Sequence, residues 1–285
     1  MSFGTGDHNL LDDWLAVASA RSLTATSKEC PKVASLLGAE ISLWRDADGA
    51  VRASASGRDL VVQERYCYVW VCPGGQPARE LFAFPEFNEP GRRIVDCGGI
   101  GVHVSGLRVI ENFLDMAHFP YVHPEFLGQV PHTEVTDYTV RASAGGSEIE
   151  AIDCRFWQPR GSVGSGGIDA AYRYRVMQPF SAILYKTCTP YPDRMDAIAL
   201  FVQPLDEERC IAHCLLVYFD NANTDTQLIA FQQTIFAQDK PILENHHPRR
   251  MPLESRLEAA MPADRMSVAY RRWLHARGFT YGVAP

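Results

Sequence analysis

Two histidines and a distant aspartate are the residue types in this chain that could hold a reactive metal. His118 and His123 lie in the run ENFLDMAHFPYVHP at 111–124, and Asp239 lies in FAQDKPILENH at 236–246. Imidazole nitrogen suits iron, copper or zinc, and two imidazoles with one carboxylate on one face leave positions open for oxygen chemistry. If the three side chains converge, the sequence predicts a mononuclear iron(II) oxygenase.

A helix is expected to position the first of these histidines. Apolar residues in LRVIENFLDMAH, at 107–118, recur on one face of a helix, and Asp115 lies on the same face as His118 because it precedes it by three residues. Pro120 is expected to end this helix. Residues five apart on a continuous helix point about 140° apart, so the break would let His123 turn back toward His118.

Strands are expected over most of the remaining chain. LLGAEISLWRDADGAVRA predicts a hairpin with its turn at Asp48-Gly49, and several apolar runs between 133 and 220 predict an antiparallel meander. The loop GSVGSGGI at 161–168 has the composition of a flexible segment.

Two further helices are expected towards the end of the chain. NTDTQLIAFQQTIFAQDKPILEN predicts a long helix with Thr224 or Asp225 as its N-cap, and PADRMSVAYRRWLHARG predicts a last helix that ends at Gly278. The predicted class is α+β, with a helix-grip-like antiparallel sheet wrapped around a long helix. We expect a β-rich region over 1–100 and the metal-binding domain over 101–285.

Size and charge exclude several classes of function. The chain has 285 residues, of which 46% are hydrophobic, and a net charge of −7, without the basic stripe of a nucleic-acid-binding protein. No apolar run approaches the length of a membrane span, and MSFGTGDHNLLDDW lacks the pattern of a secretory signal. We therefore expect a cytoplasmic enzyme that binds neither nucleic acid nor membrane.

The eight cysteines are scattered through apolar stretches without paired spacing, so most are expected to be reduced and buried. Cys210-Ile-Ala-His213 matches half of a ligand set for a two-iron cluster, but the other half, Cys-x-His, is absent from the sequence. Its context, RCIAHCLLVYF, is typical of a strand. We therefore do not expect a cluster at this position.

Taken together, these residues resemble the catalytic domain of the Rieske-type non-haem iron oxygenases, most strongly the demethylase-like branch. The resemblance extends to LLGAEISLWRDADGAV and VVQERYCYVWV, which are similar to segments that flank the Rieske cluster, and to SVAYRRWLHARG, which is similar to the C-terminal helix. It covers nearly the whole chain. The residues that carry it occur in the family's order and context: Asn112, Asp115, His118, His123 and Asp239.

The chain departs from the family between the two flanking segments. Family members carry Cys-x-His and Cys-x-x-His there, whereas AVRASASGRDLVV joins the segments directly. The resemblance therefore implies that residues 1–100 are a truncated remnant of a Rieske domain without its cluster. In this respect the chain resembles the Rieske-less catalytic subunits of methylxanthine N-demethylases. These remove a 7-methyl group and take electrons from a Rieske domain on their reductase.

The resemblance implies a role for each of the five residues. His118, His123 and Asp239 would bind one iron(II), and Asp115 would link the histidine of an incoming cluster to His118. Asn112 would belong to the pocket. Two alternatives stay open: Asp115 could be a partner of the helix dipole, and a hydrogen bond from its amide to backbone would explain Asn112 nearly as well.

The implied activity is oxidative N-demethylation of a small methylated heteroaromatic, with release of formaldehyde. Electrons would come from a [2Fe–2S] Rieske partner, ultimately from NAD(P)H, and the family implies a homo-oligomer, a trimer or a multiple of three. A need for an additional scaffold protein is left open. Ring hydroxylation, O-demethylation and a non-catalytic scaffold role are the alternatives. A 2-oxoglutarate-dependent oxygenase is disfavoured by the order of the ligands. In such enzymes the order resembles His-x-Asp followed by a distant His, whereas this chain has two histidines followed by a distant Asp.

Overall fold

The largest sheet is built from the strands between residues 93 and 218, whose central members are apolar along most of their length. The computed structural model describes residues 3–160, 166–254 and 257–285. Within these residues the sheet has seven strands in the order β8-β14-β13-β12-β11-β10-β9, and all neighbouring pairs are antiparallel. The strands are β8 (Arg93–Val102), β9 (Thr139–Ala142), β10 (Ile149–Gln158), β11 (Ile168–Gln178), β12 (Ser181–Thr187), β13 (Met195–Pro204) and β14 (Cys210–Tyr218).

Both faces of this sheet are buried. Successive side chains of a strand point to opposite faces, so Leu184 and Leu200 pack in one apolar cluster while Ile183 and Phe201 pack in another. The second cluster contains Trp70, whose ring centroid lies 4.9 Å from that of Phe201. The first face is left for the long helix and the candidate site.

Two smaller sheets lie within the first ninety residues. Their strand orders are β1-β7-β6 and β2-β3-β4-β5. The expected hairpin is confirmed, since Trp44 pairs with Arg52 on either side of a turn whose Gly49 has a φ of +80°. The strands are β1 (Leu15–Ser19), β2 (Lys32–Leu36), β3 (Ala39–Arg45), β4 (Val51–Ala55), β5 (Arg58–Asp59), β6 (Val61–Arg65) and β7 (Tyr68–Cys72).

The two C-terminal helices agree with the sequence prediction. The long helix α4 (Asp225–Glu244) begins with Thr224, whose hydroxyl accepts the backbone N–H of Gln227 while the Gln227 side chain accepts the backbone N–H of Thr224. This reciprocal cap satisfies two backbone donors that the helix itself leaves free. The last helix, α5 (Arg265–Ala276), is followed by Gly278 with a φ of +64°. A short helix near the N-terminus is α1 (His8–Leu11).

The helix expected over 107–118 is shorter than predicted. It is α2 (Gly106–Leu114), and it ends before His118 because Asp115 takes an extended backbone conformation. The Asp115 carboxylate accepts the backbone N–H of Ala117 at 2.8 Å, which gives the chain a local alternative to another helical turn. The prediction that Asp115 and His118 share a helix face is therefore wrong, although the two side chains do meet across this turn.

The predicted role of Pro120 is also wrong. Pro120 does not end a helix, but lies in the first turn of a short one, α3 (Phe119–Val122), where a missing N–H costs nothing. His118 and His123 are the residues that flank α3 on either side.

The expected α+β class with antiparallel sheets is confirmed, whereas the helix-grip description and the Rieske remnant stay predictions. The division at residue 100 also stays a prediction, and β8 extends across it. Of the loop expected at 161–168, residues 161–165 lie outside the described residues. Among the described residues, no helix has the length and apolar character needed to span a membrane.

Candidate metal centre

The three predicted ligands converge at one point. His118 and His123 come from the two ends of α3, and Asp239 comes from α4. The Nε2 atom of His118 lies 3.2 Å from Nε2 of His123 and 3.4 Å from Oδ1 of Asp239. Nε2 of His123 lies 3.0 Å from the same Oδ1. In the described part of the chain, these three residues form the only cluster of at least three His, Cys, Asp or Glu side chains spaced to hold a metal ion.

The other nitrogen of each imidazole is held by a neighbour. Nδ1 of His118 lies 2.9 Å from Oδ2 of Asp115, and Nδ1 of His123 lies 2.8 Å from Oε1 of Gln238. A carboxylate and an amide oxygen only accept hydrogen bonds, so we assign the imidazole hydrogens to the Nδ1 atoms. In the neutral form that binds a metal, each Nε2 atom then carries its lone pair toward the other ligands, which is how metal-binding histidines are normally oriented.

Gln238 was not anticipated from the sequence. It precedes Asp239 on α4, and adjacent helix residues do not normally face the same point. Here Gln238 reaches the outer nitrogen of His123 while Asp239 reaches the inner one. Nothing in the spacing of the run FAQDKPILENH points to this division of roles.

Burial and the neighbouring charges shift the pKa values of His118 and Asp239. Burial alone would lower the pKa of His118, but its hydrogen bond to Asp115 and the nearby Asp239 carboxylate raise it to about 9. Burial opposes ionisation of Asp239, yet the two imidazoles lower its pKa to about 2. Oδ1 of Asp239 is buried, and within the described residues it has no well-formed hydrogen bond.

A divalent cation would satisfy this arrangement. The buried Oδ1 of Asp239 lies within 3.4 Å of both Nε2 atoms, and a metal ion would replace the proton that this metal-free cluster has to share. Two neutral imidazole nitrogens and one carboxylate oxygen suit iron, copper or zinc. The residues present therefore fit the iron(II) that the sequence predicts.

A mostly apolar cavity begins at this centre and extends between the large sheet and α4. The centre of a water-sized sphere can reach about 80 Å³ of this cavity, which is partly open to solvent. Its described lining includes Val109, Asn112, Phe113, His118, Phe119, His123, Leu127, Gln158, Tyr172, Leu184, Lys186, Ile198, Leu200, Cys214, Tyr218, Phe231, Gln232, Ile235, Phe236 and Asp239.

The metal centre also borders a second space, which we call the outer cleft. Asn112 and His118 line both the cavity and this cleft, whereas Asp115 and His246 line only the cleft. The centre is therefore approached from two sides. Within the described residues the side-chain amide of Asn112 makes no hydrogen bond, so the alternative that it caps backbone receives no support.

The Cys210–His213 spacing has a structural explanation. Both residues lie on β14, and His213 Nε2 lies 3.0 Å from Oε1 of Gln203. Burial raises the pKa of the Cys210 thiol to about 12 and lowers that of His213 to about 4. All eight cysteines are free, as the sequence predicted.

Comparisons with known proteins agree with this fold. The chain is 46% identical over 277 residues to the "probable methylxanthine N7-demethylase NdmC" of Pseudomonas sp. (strain TJI-51), which covers 96% of each protein. It is 24% identical over 215 residues to methylxanthine N1-demethylase NdmA of Pseudomonas putida, covering 74% of this chain and 58% of that protein.

Two solved structures have the same fold. NdmA of Pseudomonas putida CBB5 matches with a TM-score of 0.75 at 19% identity, over 94% of this chain and 90% of that chain. Dicamba monooxygenase bound to dicamba matches with a TM-score of 0.74 at 18% identity, over 94% and 97%. A family model described as vanillate O-demethylase oxygenase C-terminal domain matches residues 102–278. This chain belongs to that family of Rieske-type oxygenases.

Proposed function

We propose that this chain is the catalytic component of a non-haem iron oxygenase that oxidatively removes a methyl group from a ring nitrogen of a small heteroaromatic. One observation carries the proposal: the Nε2 atoms of His118 and His123 and the Oδ1 atom of Asp239 face one another at the end of a mostly apolar cavity. A metal ion held by these three atoms would keep open coordination positions next to a substrate bound in the cavity.

His118, His123 and Asp239 would hold the iron, and Asp115 and Gln238 would orient the two imidazoles. Iron(II) bound there would supply dioxygen activation. The protein itself keeps each Nδ1 hydrogen engaged, so that each Nε2 lone pair stays directed inward. The apolar walls exclude water from the substrate, and Asn112 lies where the cavity meets the outer cleft.

The net reaction needs two electrons from outside the chain. The N-methyl group and dioxygen, with two electrons and two protons, give the demethylated N–H, formaldehyde and water. The chain's sequence contains no Cys-x-His, so we propose a partner protein with its own [2Fe–2S] Rieske cluster, reduced ultimately by NAD(P)H. The outer cleft, where Asp115 meets the ligand His118, is the side on which this partner would approach.

The substrate class follows from the relatives. The 46% identical protein is named as a methylxanthine N7-demethylase, and the next one as a methylxanthine N1-demethylase. We therefore propose a methylxanthine-like substrate demethylated at the 7-position.

Three further properties are proposals as well. They are the division into a Rieske-type remnant at 1–100 and a catalytic domain at 101–285, a cytoplasmic location, and assembly as a trimer or a multiple of three.

Formaldehyde release tests the proposed function. Iron-loaded protein and a Rieske-bearing reductase are incubated with NAD(P)H and 7-methylxanthine, with an O-methylated aromatic as the comparison substrate. We expect formaldehyde and xanthine in equal amounts, dependent on the reductase, and none from His118→Ala. A hydroxylated product without formaldehyde would instead indicate ring hydroxylation. Turnover by the isolated chain with 2-oxoglutarate would contradict the proposal.

A further inference from the structure

A basic side chain lies among the apolar walls of the metal cavity. Lys186 on β12 pairs across the sheet with Tyr172 on β11 and with Asp196 on β13, and such neighbours have Cβ atoms about 4.5–5.5 Å apart. Among the described lining residues of the cavity, Lys186 is the only lysine or arginine. An ammonium group is costly in such a place unless something pairs with it.

Nothing in the described part of the chain pairs with this ammonium. Lys186 makes no hydrogen bond to a described residue and no ion pair within 4.0 Å. Its neighbour Asp196 accepts the backbone N–H of Phe219 at 2.8 Å instead. Burial lowers the pKa of Lys186, and the Asp196 carboxylate only partly offsets this effect. Part of the Lys186 surface is nevertheless accessible, because the residue lines the cavity.

Two more polar groups of the same cavity lack partners. The Tyr172 hydroxyl and Oε1 of Gln158 are buried without a hydrogen bond to any described residue. The Lys186 ammonium donates, the Gln158 oxygen accepts, and the Tyr172 hydroxyl does either. Phe231 and Phe236 of α4 supply aromatic surface in this space. A complementary ligand would be flat, with a carbonyl oxygen to accept from Lys186 and a ring N–H to donate.

We propose that Lys186 is a specificity-determining residue whose ammonium binds an exocyclic carbonyl oxygen of the substrate. The cavity then selects planar heterocycles that carry ring carbonyls over carbonyl-free aromatics of the same shape. Tyr172 and Gln158 complete the polar contacts of the same ligand. This inference rests on the proposed function, because it names the substrate class of the same cavity.

A pair of ligands that differ in their ring carbonyls, and in the ring N–H groups that accompany them, tests the proposal when the dependence on Lys186 is measured. Binding of 7-methylxanthine and of 7-methylpurine is measured by calorimetry on the iron-loaded full chain under nitrogen, without reductase. We expect the wild-type protein to prefer 7-methylxanthine by about tenfold or more, since a hydrogen bond to a charged donor carries this preference. Lys186→Met should lose most of the preference, and Lys186→Arg should keep part of it. Lys28→Met, which removes an exposed lysine, should bind both ligands as the wild type does.

Stability separates recognition from a structural role. Replacing an unpaired interior ammonium by a methionine of similar size should leave the unfolding temperature unchanged or raise it, with iron content unchanged. Tyr172→Phe should likewise fold and should weaken 7-methylxanthine binding more than 7-methylpurine binding. A lower unfolding temperature or lost iron in Lys186→Met would assign Lys186 a structural role and overturn the proposal.

The binding results also separate this proposal from the proposed function. The assignment of Lys186 would be overturned if Lys186→Met kept the preference of the wild type for 7-methylxanthine. It would also be overturned if the wild type showed no such preference, even if formaldehyde is released. Conversely, a preference that depends on Lys186, without formaldehyde release in the complete system, would support the binding role and refute the demethylase activity.

Discussion

The change Asp115→Asn tests whether the metal centre depends on the assigned imidazole hydrogens. The Asp115 carboxylate accepts from His118 Nδ1 at 2.9 Å and from the backbone N–H of Ala117 at 2.8 Å. Asparagine has the same shape, but only one of its two terminal atoms accepts. If that oxygen keeps the hydrogen bond from the backbone N–H of Ala117, the amide NH₂ faces Nδ1 of His118. It then favours the imidazole tautomer with its hydrogen on Nε2. The lone pair needed by the metal is then lost.

The expected loss of metal affinity follows from the partial burial of the contact between Asp115 and His118. The side chains of His118 and Asp115 are 14% and 24% exposed, so solvent replaces the lost hydrogen bond only in part. Loss of such a supporting contact typically costs about 10–100-fold in metal affinity, and at 1.36 kcal/mol per factor of ten this is about 1.4–2.7 kcal/mol.

Anaerobic titration of the metal-free protein with iron(II), or with cobalt(II) followed by visible absorption, measures this effect. Asp137→Asn is the matched control, because Asp137 is an exposed carboxylate that pairs with Arg265 away from the metal centre. The variant Asp115→Asn should bind iron more weakly and the control should bind it as the wild type does. Equal affinities for all three proteins would refute the assigned orientation of His118.

Three further outcomes are expected. Because the pKa of His118 is raised to about 9, metal must displace a proton below that pH, so iron affinity should weaken as pH falls from 9 to 6; a flat profile in a pH series of titrations would contradict this. The change Gln238→Leu removes the acceptor for His123 Nδ1 and should weaken iron binding by about 10–100-fold in the same titration; unchanged affinity would exclude a supporting role. The change Thr224→Ala removes the hydroxyl that accepts from Gln227 and should lower the free energy of unfolding by about 1 kcal/mol in urea without changing iron content; a loss of iron would show that the cap also positions the ligands.

The three proposed metal ligands, which converge in the structure, were predictable from the sequence because side-chain type restricts what can bind a metal. His118 and His123 flank a proline-bearing turn, and Asp239 lies in a run that resembles a known context. The helix end was not predictable to the residue, because the Asp115 side chain competes with the helix for a backbone donor. Such hydrogen bonds between a side chain and a nearby backbone N–H compete with the hydrogen bonds of the helix and so set the residue at which it ends.

The cavity residues could not be predicted, because they meet through strand register. Tyr172 and Lys186 become neighbours only when β11 and β12 pair as observed. A shift of one residue would send Lys186 to the opposite face, against the cluster that contains Phe201. Nothing local in SAILYKTCTP indicates which face its lysine occupies.

The two buried faces of the large sheet have a consequence for engineering this protein. Trp70 and Tyr68 from the N-terminal part cover Phe201, with ring centroids 4.9 and 5.4 Å away. A fragment that began at Arg93 would keep every proposed iron ligand but leave this aromatic surface wet. Residues 93–285 are thus not a detachable module, and transferring the proposed metal centre to another scaffold would require the N-terminal residues that cover this surface as well.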